Sequence, residues 1–372
     1  MAIAQESPAL WGVRPAVGES GELASAAPVE QERPKTGTAE RKPEWLIAPL
    51  PIINPTLDNG LAVIAGLLYP VSAKDLDSPE SATFAMGLGT SNDSWAVGGG
   101  QTLHLSGDRY RAIAIGGYAN VNIDYFGIGT DAGDAGRSIL LNQRGGALMA
   151  QWLMRVHGPW YLGPRYRLLK VRASADVSDS PIALPVDDID LRTALLGPSL
   201  ELDTRDDQFY PTRGTLLEAE ALFAGSGVGG QRTYQMYQAS VSNYFSPTSR
   251  QVIASRVNSC RATDNAPFYD LCLIGQYQDL RGYPAGQYRD HLLLSAQGEY
   301  RLSVWWRFGV TVFGGLGEVA EKLDVLTTND ILPSGGAGLR FRLTQRNRIN
   351  LRVDYAWGRG SDALYITVGE AF

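Results

Sequence analysis

The residues of this chain that could do chemistry are few. His104, His157 and His291 stand far apart, and no His/Cys/Asp spacing matches a metal site. Asp290-His291, with Ser295 four residues on, is the nearest approach to a base beside a nucleophile. Its plainer reading is a histidine at the start of a strand near a membrane surface. The stretch GSGVGG, 225–230, fits G-x-G-x-x-G. It follows a strand-like segment and opens no helix, so it lacks the context of a dinucleotide site and reads as a turn. No catalytic residue, metal or cofactor is expected. Cys260 and Cys272 flank a polar segment, a spacing that suits a small disulfide-closed loop and an oxidising compartment. Two free thiols in a reducing compartment are the alternative. One more stretch stands out: QYQDLRGYPAGQYRD, 276–290, a polar loop with Arg281-Gly282-Tyr283 at its middle.

The elements that must position these residues have a period of two. In RINLRVDYAW, 348–357, Ile349, Leu351, Val353, Tyr355 and Trp357 alternate with Arg348, Asn350, Arg352, Asp354 and Ala356. Side chains alternate across a strand, so one face is apolar and the other polar. GLRFRLT (338–344), SLELDTR (199–205) and LLLSAQGEYRL (292–302) repeat the pattern, the last placing Glu299 on the polar face. RYRLLKVR, 165–172, slips phase, as a bulge would make it do.

Fifteen such segments run from residue 61 to 372, and one more at 45–56 makes sixteen. Short breaks (GD, GPW, SPT, RN) alternate with long ones at 124–138, 176–190 and 261–290, and no helical period interrupts them. Many segments are ten residues or longer, the ~9–11 a strand needs to cross a bilayer. Aromatic residues cluster near their ends, as interfacial girdles do. A soluble sandwich or propeller also alternates, but its strands are shorter.

The prediction is an all-β fold: a transmembrane antiparallel barrel over 45–372, of sixteen strands with twelve or fourteen as alternatives. Residues 1–44, rich in Glu, Pro, Ala and Ser, read as a flexible periplasmic arm with room for a short helix. The longest apolar run, 61–71, is too short for a spanning helix. MAIAQESPALWGV has neither a basic start nor an apolar core, so an exported form is expected to be already processed or placed behind a new Met1. Charged residues are 19%, Lys and Arg are scattered, and the net charge is −6, so nucleic acid is not an expected partner.

The chain resembles the BamA/TamA-like surface-antigen superfamily of Gram-negative outer-membrane barrels. LELDTRDDQFYPTRGTLLE (200–218) is similar to its strand–turn–strand signature. DLRGYPAG (279–286) is similar to the Arg-Gly-Phe/Tyr motif of its longest extracellular loop. SGGAGLRFRL (334–343), LRVDYAWG (351–358) and LYITVGEAF (364–372) resemble its last strands. PLPIINPTLDNGLAV (49–63) is similar to the start of the barrel in smaller members. No periplasmic POTRA domain and no lipase G-x-S-x-G motif is legible, which places the chain with the barrel-only branch.

The resemblance implies that the long loop folds into the lumen, where Arg281, with Gly282 and Tyr283, meets acids on the inner wall. Glu299 matches one partner position. The family's second acid falls at Gly315-Leu316-Gly317, where it is missing, and inward-facing Asp354 is the expected substitute. Ile366, Val368 and Phe372 match the alternating, aromatic-ended last strand used as an assembly signal.

The implied function is that of a barrel related to protein or lipid insertion and translocation machinery. Pro49, Pro51 and Pro55 weaken the seam between first and last strands. A passive or gated pore, and a structural homo-oligomeric barrel, are the alternatives. Expected partners are outer-membrane lipids, the outer-membrane assembly machinery, a client protein or lipid, and a second copy of the chain.

Overall fold

The computed structural model describes residues 43–54, 56–72, 78–175, 190–275, 279–344 and 347–372. The arm expected over 1–44 lies outside them up to residue 42, as do Pro55, residues 176–189 of one long loop and the 276–278 start of another.

β1 (Glu44–Asn54) and β2 (Asp58–Tyr69) form the first hairpin. β3 (Ser81–Thr90), β4 (Trp95–Leu105), β5 (Tyr110–Tyr125) and β6 (Ile139–His157) follow, with helix α1 (Thr130–Ala135) between the last two. β7 (Trp160–Ser174), β8 (Asp190–Asp203), β9 (Gly214–Ala224), β10 (Gln235–Thr248) and β11 (Gln251–Ala262) continue the sheet. A small hairpin of β12 (Cys272–Leu273) and β13 (Arg289–Asp290) interrupts it. β14 (Leu292–Trp305), β15 (Phe308–Ala320), β16 (Leu332–Arg342), β17 (Asn350–Gly358) and β18 (Ser361–Val368) complete it.

The sixteen long strands form one antiparallel sheet in chain order, with β12 and β13 as a separate pair. The alternation carries through: on β17, Arg352, Asp354 and Ala356 are buried while Tyr355 and Trp357 are exposed. The exposed face carries an apolar belt, with Val97, Leu148, Leu196, Val257, Val312 and Leu339 among its residues. In lipid every backbone polar group needs a partner, which the rolled sheet supplies except along the facing edges of its first and last strands. Aromatic side chains gather at both ends. Trp305, Trp306, Phe308 and Phe341 make a cluster of rings at the end where β1 begins. Trp95 with Tyr118, Phe223 with Tyr237 and Tyr355 with Trp357 lie toward the other.

Three expectations need correction. β7 has no bulge at 165–172, since its register with β8 runs unbroken from Trp160↔Leu202 to Arg172↔Asp190. The phase slip instead marks a change in what the inner wall faces. Leu169, Val171 and Ala173 point inward and pack on Phe268 and Tyr269 of the long loop. SPT is not a turn, because β10 runs through it to Thr248 after a register shift. The last strand stops at Val368, where Gly369 takes a left-handed φ of 95°. Phe372 therefore leaves the sheet and packs on Tyr244 and Ala254. α1 is an addition that the period-two pattern does not announce.

The seam is unlike every other strand contact. Among the described residues β1 and β18 share no backbone ladder. Ala48, Leu50 and Ala62, which are on the inward-facing parity of β1 and β2, pack with Leu351 and Val368 from the outward parity of β17 and β18. The first strands thus lap over the outside of the last two, held by apolar side chains. Pro49 and Pro51 have the same parity and sit in an unbroken register with β2. A proline tolerated in such a ladder has its missing N–H on the side away from the partner. Both therefore strip donors from the edge that faces β18.

Candidate functional site

Between β11 and β14 the chain turns into the barrel. Gly282 takes a φ of 103°, and a Cβ there would sit 2.6 Å from the Trp357 carbonyl carbon. Only glycine lets the loop lie flat on the end of β17. The turn projects Arg281 into the bore, where it is 1% exposed. Gly315 and Gly317, which replace the missing acid, leave the wall open for Leu280; a Cβ on either would come within 2.8 Å of it.

Arg281 is clasped by two carboxylates. Nη2 donates to Glu299 Oε2 at 2.7 Å and Nη1 to Asp354 Oδ2 at 2.6 Å. Its guanidinium lies 3.4 Å from the centroid of the Phe313 ring, a cation–π contact. The two acids are shared. Glu299 also accepts from Arg301 at 2.7 Å and Arg340 at 3.4 Å, and Asp354 from Arg340 at 2.5 Å. Glu370 accepts from Arg340 at 2.8 Å. β14, β16 and β17 hold Glu299, Arg301, Arg340 and Asp354 at fixed heights because each is on the inward parity of its strand, and Glu370 follows the end of β18. Sequence reasoning named Glu299 and Asp354 but not Phe313, Arg301, Arg340 or Glu370. The arginines were legible as inward-facing members of their strands; Phe313 was legible only as an inward aromatic among glycines.

The loop touches both sides of the seam. Gly282 N–H donates to Tyr365 Oη on β18 at 2.9 Å, and Ser361 Oγ donates to the Gly282 carbonyl at 2.7 Å. Ala285 N–H donates to Thr56 Oγ1, in the β1–β2 turn, at 2.8 Å. Tyr283 Oη meets the Pro333 carbonyl and accepts from Arg359 N–H.

A second anchor has the reverse polarity. Asp270, on the loop, accepts both 2.6 and 2.7 Å bonds from wall residue Arg167 and is met by Tyr234 Oη. Cys260 and Cys272 form a disulfide that ties the loop's hairpin to β11. Around it Leu222, Met236, Leu271, Ile274 and Leu293 make an apolar core inside the barrel. Apolar side chains therefore fill the bore at this end.

The histidines do other things. His291 Nδ1 faces the Ala262 carbonyl at 3.2 Å, and Ser295 Oγ accepts from Asn258, so the two make no nucleophile–base pair. His104 is not alone as the sequence suggests: its Nδ1 is 2.8 Å from Asp108, which also binds Arg111, Arg155 and Tyr161. His157 ends β6 opposite Trp160. No group of three or more metal-ligating side chains occurs among the described residues.

Burial pushes the Asp279 carboxyl well above the usual carboxylate range, against backbone N–H groups that pull it down. Released into water the same group returns to about 3.9. The docked loop thus binds the proton more tightly than the released loop. Docking is strongest below the ordinary value and weakens as pH rises from there through the raised one. Hydrogen exchange of residues 279–286, corrected for intrinsic rates, should be faster relative to the barrel at pH 8 than at pH 5. Asp279→Asn should flatten that difference; a pH-independent wild type contradicts the assignment.

A rolled sheet with an apolar outside, aromatic residues at both ends and an inward loop clasped to its wall defines a transmembrane β-barrel with an internal loop. The chain belongs to the Omp85 superfamily, whose domain it matches over residues 92–372. Among solved structures it is similar to BamA from Haemophilus ducreyi lacking POTRA domains 1–3, at 14% identity and a TM-score of 0.54, covering 88% of this chain and 69% of that one. It is similar to CdiB from Acinetobacter baumannii at 12% identity and a TM-score of 0.56, covering 88% and 59%. CdiB from Escherichia coli is similar at 11% and 0.59, covering 90% and 63%. At these identities the likeness is one of fold, and the chain spans less than two thirds of either CdiB chain. No curated protein sequence matches.

Proposed function

We propose that this is an outer-membrane barrel of the insertion and translocation type, with loop Arg281 as a plug and the β1–β18 seam as the part that opens. The observation that carries the reading is the seam. Fifteen neighbouring strand pairs are hydrogen-bonded and this one is lapped. Separating it breaks apolar contacts and no ladder, so it costs less than parting any other pair. The plug loop bonds to both sides of this seam, through Tyr365 and Ser361 on one and Thr56 on the other. Release of Arg281 and opening of the seam are therefore one event in this account. A permanently open pore fits less well, because apolar side chains fill one end of the bore. Ile366 and Val368 on β18, and Phe372 before it tucks inward, serve as the recognition signal while the barrel is being assembled.

The test is a lock. Cysteines replacing Leu50 and Val368, oxidised together, would tie the lap shut. The full chain is reconstituted in phosphatidylethanolamine/phosphatidylglycerol vesicles and given a urea-unfolded eight-stranded outer-membrane barrel as probe. The reduced protein should speed the probe's folding several-fold over empty vesicles, and the oxidised protein should not. Equal rates with and without the lock exclude the seam as the route. No acceleration by the reduced protein, in step with the wild type, excludes the insertion reading.

A further inference from the structure

We propose that the outward faces of β5 to β8, just above the aromatic residues at the far rim, form a binding surface for the anionic headgroup phosphates of lipids in the surrounding leaflet. The register builds it. At the level of Tyr118 the strands carry Tyr118, Gly146, Lys170 and Arg192 side by side. Two residues further along they carry Asn120, Arg144, Arg172 and Asp190. All eight have the outward parity, and Arg144, Lys170, Arg172 and Arg192 are exposed.

This arrangement places Arg144 directly opposite Arg172, and Lys170 directly opposite Arg192. Like charges facing each other across an antiparallel pair destabilise the sheet, and neighbouring strands are only ~4.8 Å apart. In a chain of net charge −6, two such pairs on adjacent strands need a counter-charge. Arg172 has one in Asp190 at 2.7 Å, and Asp124 is engaged by Ser138 at 2.8 Å; Arg144, Lys170 and Arg192 make no ion pair among the described residues.

The height fits a headgroup. Trp95 and Tyr118, 6.0 Å apart, mark the interface at the foot of the patch. Arg144 reaches back to Tyr118 Oη at 3.0 Å. Below this level the outer face turns apolar at Leu148, Trp152 and Met154. Gly146, between Tyr118 and Lys170, has no side chain, and a Cβ there would meet only Gly117 and the Tyr118 ring, both at 3.4 Å. It leaves a notch bounded by a ring on one side, Lys170 on the other and Arg144 above. Above the notch, Asn142 bridges Asn120 and Asn122 at 3.0 and 2.8 Å, which keeps that wall polar where it leaves the membrane.

The experiment is native mass spectrometry of the full chain released from bilayers holding equal amounts of tail-matched phosphatidylglycerol and phosphatidylcholine. The wild type should retain phosphatidylglycerol in preference. The triple variant Arg144→Gln, Lys170→Gln, Arg172→Gln should lose that preference by about tenfold, or about 1.4 kcal/mol. Arg109→Gln with Arg307→Gln, at the opposite rim, should leave it unchanged. Heat-modifiable gel mobility shows that each variant is folded. If the triple variant keeps the preference, the patch is not the site. If Asp176, Asp179, Asp187 and Asp188 of the connecting segment neutralise the cations, the wild type will show no preference, and the proposal fails on that result too.

Discussion

Replacing Glu299 with Gln lowers the stability of the folded barrel by about 3–5 kcal/mol, the cost of removing one partner from a fully buried ion pair. The side chain has no solvent exposure and faces Arg281, Arg301 and Arg340 together. Without the carboxylate, Arg281, Arg301, Arg340 and Arg352 share Asp354 and Glu370 among the described residues, so positive charge is left unmatched in a buried site. Gln keeps the shape and can accept from one arginine, which isolates the loss of charge. The measurement is urea titration of the full chain in lipid vesicles, read by heat-modifiable mobility. A shift below about 1 kcal/mol would mean that the three arginines find other partners.

Arg281→Ala gives the second large effect, of a different kind. Glu299 keeps Arg301 and Arg340, and Asp354 keeps Arg340 and Arg352, so neither acid is stranded. What is lost is the pair of charged contacts that Arg281 makes with the wall, together with its stacking on Phe313. The barrel should stay folded and lose little of its unfolding free energy. The turn should undock, with faster hydrogen exchange at 280–286 and at the seam residues it touches. The Asp270–Arg167 anchor and the disulfide hold the rest of the loop, so exchange at 268–272 should not change. The two substitutions thus separate the network's two tasks: Glu299 supports the wall and Arg281 holds the turn.

The sequence made the wall legible and left its contents obscure. Leu339, Arg340, Phe341 and Arg342 alternate because one face meets lipid and the other meets the bore, and that contrast is written at every second residue. Glu299 and Asp354 were legible as inward-facing for the same reason, whereas Arg281, which lies in a loop, was legible only through the family resemblance of DLRGYPAG. The loop's own core was not. Phe268, Leu271 and Ile274 look like scattered apolar residues in a polar segment, because their partners lie on strands far away in the chain. The same packing hid behind the phase slip at 165–172: inward leucine and valine read as an irregularity when the bore is taken as wet. Asp270 was missed because nothing local marks an acid that pairs with an arginine about a hundred residues earlier. The lapped seam is a fact about two ends of the chain, and only the prolines of β1 hinted at it.

The proposed plug and the proposed opening of the seam meet in one measurement, the current through single proteins in a planar bilayer, wild type beside Arg281→Ala. A docked turn over an apolar filling predicts a closed or briefly flickering wild type and a variant with larger, longer openings. Indistinguishable traces, or a steady ohmic current through the wild type, would contradict the account.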